Sequence, residues 1–270
     1  MPASPFTVVQ CWDDGVTTDA RLTDLLRTLG IPATFNLCAG VHDNQRRFGW
    51  MHAGQEVWRL GWDEMHGVYD GFTIANHSLT HPNLCEMSAA AAQHEISVGR
   101  ERLQQFFGQR VAGFAYPFGA YTPAVMALVR ETGHVYARTV ESKADGFPPA
   151  EPMAFHPSCH FLAPDFWQRY EDAKHCSVFY FWSHSFELVD ETLWQALETT
   201  FTQISADPDS RWATCRICLA DDNYFFISID EIPAEHLQNC KCCFTPLRFD
   251  KFVPIEIVLL SNNPNTRSRC

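Results

Sequence analysis

The chain has 270 residues, a formal net charge of −12, and 46% hydrophobic against 19% charged residues. That length suits one large domain or a barrel with an appendage, and the composition supplies a sizeable core and excludes wholesale disorder. The negative balance argues against nucleic acid or an anionic membrane surface as a partner, and leaves neutral substrates or cationic products open.

No stretch approaches the ~20 apolar residues of a membrane span. The opening Met1-Pro2-Ala3-Ser4-Pro5 offers neither a basic region nor an apolar signal core, so a cytoplasmic location is expected. The 11 cysteines are an odd number and read as reduced thiols packed as small hydrophobes.

Residues 6–12 read as a first strand running into Trp12-Asp13-Asp14-Gly15. Neighbouring side chains on a strand point to opposite faces, so both carboxylates share one site only where the strand has just ended. Gly15 allows the sharp exit this needs. Thr17 or Thr18 is expected to cap a helix in which Leu22, Leu25, Leu26 and Leu29 keep helical spacing; Gly30 stops it and Pro32 forbids its continuation. A second strand at 33–37 completes a βαβ unit, which implies parallel strands. Short helices are expected at 55–60 and 63–66. The third strand, 72–75, ends at Asn76-His77-Ser78-Leu79-Thr80-His81-Pro82. Ser88 caps a long helix that Gly108 ends. A fourth strand, 111–116, leads into Pro117-Phe118-Gly119, and Thr122-Pro123 opens a helix that runs to Glu131. A fifth strand, 134–139, carries Arg138. Next come a strand at 155–159, a helix over 165–174, and an apolar strand at 177–182 that ends in Ser183-His184-Ser185. A helix over 191–204 and a short strand at 212–214 complete the alternation. This pattern predicts an α/β barrel, and the acids, histidines and Arg138 fall at strand ends, the face on which barrels place catalysis.

Four segments resemble, in order and spacing, the motifs of the polysaccharide deacetylases, the NodB-homology or family 4 carbohydrate esterases. They are Trp12-Asp13-Asp14-Gly15, His77-Ser78-Leu79-Thr80-His81, Phe114-Ala115-Tyr116-Pro117-Phe118-Gly119 and Trp182-Ser183-His184. The resemblance implies a distorted (β/α)7 barrel over 1–214, with 215–270 left as a Cys-rich extension unlike the family. It implies a metal-dependent hydrolase that removes acetyl groups from an N-acetylated sugar or glycan. Asp14, His77 and His81 would hold the ion, Asp13 would act as base, the Phe118 backbone N–H would face the oxyanion, and His184 would protonate the departing amine. Independently of the family, one Asp with two His is an N,N,O ligand set that leaves positions open for water and substrate. Zn²⁺ is expected, with Co²⁺, Ni²⁺ or Fe²⁺ also suited. Tyr116, Phe118, Trp182 and Phe186 are candidate walls for a sugar ring.

The departures from the family pattern are specific. Ala115 stands where the family usually has the arginine that pairs with the base, and Arg138 on the next strand is the candidate replacement. Asp165-Phe166-Trp167 only partly matches the motif whose Asp tunes the histidine, and Phe118 replaces a tyrosine. His156, Cys159 and His160 invite a second metal cluster, but packing of a loop is the preferred reading. Cys215-x-x-Cys218 with Cys240-x-Cys242-Cys243 has the wrong spacing for a standard zinc knuckle. Two alternatives stand beside the deacetylase: a hydrolase of a small non-sugar amide, and a metal-binding pseudoenzyme. A closed pocket walled by 40–70 goes with a small substrate, an open groove with a polymer. The oligomeric state is left open.

Overall fold

A computed structural model describes residues 6–143, 149–175 and 178–215. The expected Cys-rich extension, apart from Cys215, lies outside the described residues. In chain order the elements are β1 (Phe6–Asp13), α1 (Asp19–Leu29), β2 (Thr34–Leu37), β3 (Arg47–His52), β4 (Gln55–Arg59), α2 (Trp62–Tyr69), β5 (Thr73–Asn76), α3 (Ala89–Phe107) and β6 (Gly113–Ala115). They continue with α4 (Pro123–Glu131), β7 (Tyr136–Arg138), β8 (Cys159–His160), α5 (Phe166–Ala173), β9 (Val178–Ser183), α6 (Glu191–Ala206) and β10 (Ser210–Ala213).

The strands of the main sheet pair in parallel in the order β7-β6-β5-β2-β1-β9-β8, and β10 continues beside the first half of β1. All eight residues of β1 are buried, as befits a central parallel strand covered on both faces. Residues 155–160 draw the two ends of the sheet together. Phe155 N–H donates to Ala137 O at 2.9 Å and Ser158 N–H to Tyr180 O at 2.6 Å, so one short run touches β7 and then β9. The architecture is a distorted (β/α)7 barrel. Its core joins Val8, Trp12, Phe35, Ile74, Phe179 and Phe181 from the strands to Leu22, Leu26, Leu103, Leu197 and Phe201 from the helices. No helix among the described residues is long and apolar enough to cross a membrane.

Three local expectations need correction. Residues 55–59 form β4, not a helix, and pair antiparallel with β3 in a separate two-stranded sheet. The turn is Ala53-Gly54, both at positive φ (46° and 79°), the backbone of a tight hairpin. Thr18 occupies the N-cap of α1 without capping it; its hydroxyl meets Ser185 Oγ at 2.7 Å instead. The strand expected over 155–159 is shorter and later, since only Cys159 and His160 pair regularly with β9 and Phe155 makes an isolated bridge to Arg138.

Candidate active site

β1 delivers Asp13 as its last residue, and the chain then turns at Asp14 (φ 85°) and Gly15 (φ 69°). This kink swings Asp14 to the same side as Asp13. A Cβ on Gly15 would lie 2.8 Å from His42 Cε1, so the exit has no room for a side chain.

Asp13 is 2% exposed and both its oxygens are engaged. Oδ1 accepts from Asn36 Nδ2 at 2.7 Å, and Oδ2 accepts from Arg138 Nη2. Both partners follow from register. Asn36 is the β2 residue paired with Asp13, and Arg138 is the β7 residue paired with Ala115. The guanidinium therefore stands one strand over from the alanine. It is 1% exposed and its centre lies 4.6 Å from the Trp182 ring. Burial pushes the Asp13 carboxyl up, but Arg138, His77, His184 and Asn36 together outweigh it and hold the group at about 2.

β5 ends at Asn76, and the loop that follows carries both histidines. His77 is buried and donates Nδ1–H to Ala115 O at 2.8 Å, which leaves Nε2 facing Asp13 Oδ2 at 3.9 Å. His81 Nε2 lies 4.0 Å from Asp14 Oδ1. The loop is held from α3: Glu95 accepts from Thr80 N–H and Thr80 Oγ1, each at 2.8 Å. Gly99 allows α3 to press against it, since a Cβ there would meet the Ser78 carbonyl carbon at 2.9 Å. Ser78 and His81 both adopt positive φ, as does Phe118. Left-handed non-glycine residues are costly and gather where a site must be aimed; four of the five in the described chain are Asp14, Ser78, His81 and Phe118.

Donor atoms of Asp14, His77 and His81 all lie within 4.8 Å of one another, so the N,N,O set fits a divalent ion. Burial lowers the pKa of His77 to about 4 and that of His81 below its ordinary value, so both rings are neutral at pH 7, as ligands must be. An Nδ1–H bond to a carbonyl, as His77 makes to Ala115 O, is the outer support that a metal-binding imidazole would use.

β9 ends at Ser183, and His184 faces both acids, with Nε2 at 4.0 Å from Asp13 Oδ2 and 3.8 Å from Asp14 Oδ2. Its partner is a residue that sequence reasoning missed. Glu187 folds back through a single turn, and its Oε2 accepts from His184 Nδ1–H at 3.1 Å, His184 N–H at 3.1 Å, Ser183 Oγ at 3.0 Å and His160 Nε2 at 2.9 Å. Burial alone pushes the His184 pKa down, but Glu187, Asp13 and Asp14 outweigh it and the net direction is up. Glu187 itself is pushed up by burial and pulled well below the carboxylate range by His160 and His184. Asp165 does not serve His184: it accepts from Arg169 Nε at 2.8 Å on the exposed side of α5. His160 joins His184 and Glu187 rather than the cluster with His156 and Cys159; His156 meets Thr139 Oγ1 and Cys159 packs in the core. The signal for Glu187 was its spacing, three residues after the histidine.

A cavity of about 530 Å³ opens over these groups. Trp182, Phe118 and Phe186 line it, and Trp50 and Arg59 enter from the β3–β4 hairpin. Phe118 is 67% exposed and its ring sits 4.6 Å from that of His81. Tyr116 lines the cavity as a buried ring, and its hydroxyl turns away to donate to Met153 O at 2.8 Å. Arg59 lay in the stretch expected to be helical, and Trp50 in the preceding residues, to which no element was assigned.

The polysaccharide deacetylase family profile matches residues 1–137, just over half of the chain. The chain belongs to the polysaccharide deacetylase family. A chitooligosaccharide deacetylase from Azorhizobium caulinodans is 31% identical over 65 residues, a match that spans 24% of this chain and 31% of that relative. Among solved structures, the Xyl-CE4 domain of a multidomain xylanase from the hindgut metagenome of Trinervitermes trinervoides superposes with a TM-score of 0.53 at 17% identity, covering 80% of this chain and 90% of that one. A family 4 carbohydrate esterase from Streptomyces lividans, in complex with acetate, gives 0.51 at 14% identity, covering 78% and 93%. At these identities the two structures show that the family barrel is shared.

Proposed function

We propose that this deacetylase-family protein hydrolyses the amide of an N-acetylated sugar, releasing acetate and a free amine. The observation that carries this reading is the convergence of four strand ends on one cavity: Asp13 backed by Arg138, the Asp14–His77–His81 set, and His184 backed by Glu187. Asp14, His77 and His81 would hold a divalent ion, which when bound polarises a carbonyl oxygen and brings the pKa of its water to about 7.

The chain's own groups divide the proton work. Asp13 is ionised at any pH above about 4, given its pKa near 2, so it is ready to accept the proton of the attacking water. Arg138 and Asn36 fix its two oxygens and prevent rotation. His184, its proton affinity raised by Glu187 and the two aspartates, is placed to hand a proton from Nε2 to the departing nitrogen. Acid and base assistance of this kind typically contribute about 10²–10⁴-fold each. Phe118, Trp182, Phe186 and Trp50 supply flat apolar faces for a pyranose ring, while Asp13 and Asp14 lie beneath it. A volume of about 530 Å³ is that of a small-ligand site. With the hairpin forming one wall, it favours a short sugar, or a small non-sugar amide as a second reading, over a long polymer.

The test is acetate release from N-acetylglucosamine and its short oligomers, with bound metal measured on the same preparations. Wild type is expected to release acetate, and Asp13→Asn and His184→Ala to lose at least a hundredfold in kcat/KM while still binding metal. Metal binding without acetate release in the wild type would point to the pseudoenzyme. A further expectation concerns Glu187. Removing its charge in Glu187→Gln lowers the proton affinity of His184, so the alkaline limb of the pH–rate profile should move to lower pH, whereas Glu187→Asp should move it less. An unmoved limb in Glu187→Gln would show that the carboxylate does not govern His184.

A further inference from the structure

We infer that Arg59 anchors a carboxylate of the substrate, so that the site takes an acidic N-acyl sugar or similar acidic amide in preference to a neutral one. This rests on the reading of the cavity as an amide-hydrolase site. Among the described residues lining the cavity, Arg59 is the one lysine or arginine. The other guanidinium nearby, Arg138, is buried and committed to Asp13.

Arg59 is placed with little freedom. Its backbone bridges to Val16, Thr17 N–H donates to Trp58 O at 2.8 Å, and Leu60 N–H donates to Gly15 O at 3.1 Å. These bonds bolt the end of β4 to the loop that carries Asp14. The guanidinium lies over the Trp50 ring, 4.9 Å from its centre, a contact that restrains the head group. Its one hydrogen bond to the described residues runs from Nη1 to Asp14 O at 3.1 Å, and it forms no ion pair with them. A guanidinium carries five N–H donors in a fixed fork that matches a carboxylate. Here a preoriented fork sits in an aromatic-walled cavity with most of its donors unspent. The chain's formal charge of −12 repels anions at long range, so a preference for an acid has to originate inside the cavity. A residue that merely clamps the Asp14 carbonyl acts on all substrates alike; an anchor discriminates between them.

The experiment uses the metal-loaded full chain and three compounds sharing one acetamido group: N-acetylglucosamine, N-acetylglucosaminuronic acid with its carboxylate on C6, and N-acetylmuramic acid with its carboxylate on the 3-O-lactyl arm. At least one acid is expected to exceed the neutral sugar in kcat/KM by about ten- to a hundredfold, the span of a hydrogen bond to a charged group. Arg59→Gln should bring that ratio to about one, and Arg59→Lys should leave it intermediate. The ratio is internal to each variant, so loss of the Asp14 contact cancels; melting curves establish that each variant is folded. A wild-type ratio near one, or a ratio that survives Arg59→Gln, overturns the inference. If none of the three is hydrolysed, the deacetylase reading fails separately, and equilibrium binding of the same compounds decides on Arg59. Tighter binding of an acid by wild type but not by Arg59→Gln sustains the anchor, and its absence overturns it.

Discussion

Arg138→Met is expected to lower stability by about 3–5 kcal/mol, because it leaves the Asp13 carboxylate buried without its counter-charge. The same variant should lose acetate release almost completely, since Asp13 would take up a proton or turn away. The two effects separate in a second variant. Adding Asp13→Asn to Arg138→Met removes the orphaned charge and should recover much of the stability, yet stay inactive. Chemical denaturation read alongside acetate release makes the comparison. A third variant asks whether the strand of origin matters. Ala115 and Arg138 are register partners on β6 and β7, so their side chains rise from the same face about one strand spacing, ~4.8 Å, apart. Ala115→Arg combined with Arg138→Ala should therefore show activity that Arg138→Ala alone lacks. A fully stable Arg138→Met would refute this account of the buried pair.

Loss of the ligand set is the second large effect. Wild type is expected to bind one divalent ion per chain, and His77→Ala and His81→Ala to weaken it by more than the roughly 10–100-fold that removal of an outer-shell partner costs. His77 should be the more damaging, being fully buried with its Nδ1–H committed to Ala115 O. An ion at a hundred times its Kd adds about 2.7 kcal/mol to the folded state, so a chelator should lower the melting temperature of wild type and leave His77→Ala unmoved. Elemental analysis with melting curves gives both readouts. Full ion stoichiometry in the double variant His77→Ala/His81→Ala would place the metal elsewhere, and the His160–His184–Glu187 group would then be the site to examine.

The barrel was legible because β1, β5, β7 and β9 each end at or just before a candidate site residue, and because helix and strand alternate with few exceptions. Ser88, Thr122-Pro123, Gly30 and Gly108 act at the helix ends where their side chains and backbones predict. What stayed hidden depends on pairing across the sheet or on a fold-back in three dimensions. Asn36 reaches Asp13 only because β2 lies beside β1 in one register. Glu187 reaches His184 only because residues 185–187 form a tight turn. Asp165, the partial match to the family's tuning acid, lies nineteen residues upstream and pairs with Arg169 instead. The β3–β4 hairpin escaped because its strands expose most of their residues on both faces, so no buried alternation marks them. Its turn, Ala53-Gly54, also lacks the Asn-Gly or Asp-Gly that announces such a bend.

That hairpin has a consequence for how the protein can change. It is a separate two-stranded sheet, tied near the cavity through residues 15–17, and none of its backbone hydrogen bonds belongs to the main ladder. One side offers Trp50 and Arg59 to the cavity, while Phe48, Met51 and Trp58 look outward. A longer, shorter or recomposed hairpin would redraw one wall of the cavity and leave the proton-handling groups where they are. Up to the bonds that tie Trp58–Leu60 to residues 15–17 it is an exchangeable cassette, and libraries confined to residues 47–57 are the economical way to retune what this barrel accepts.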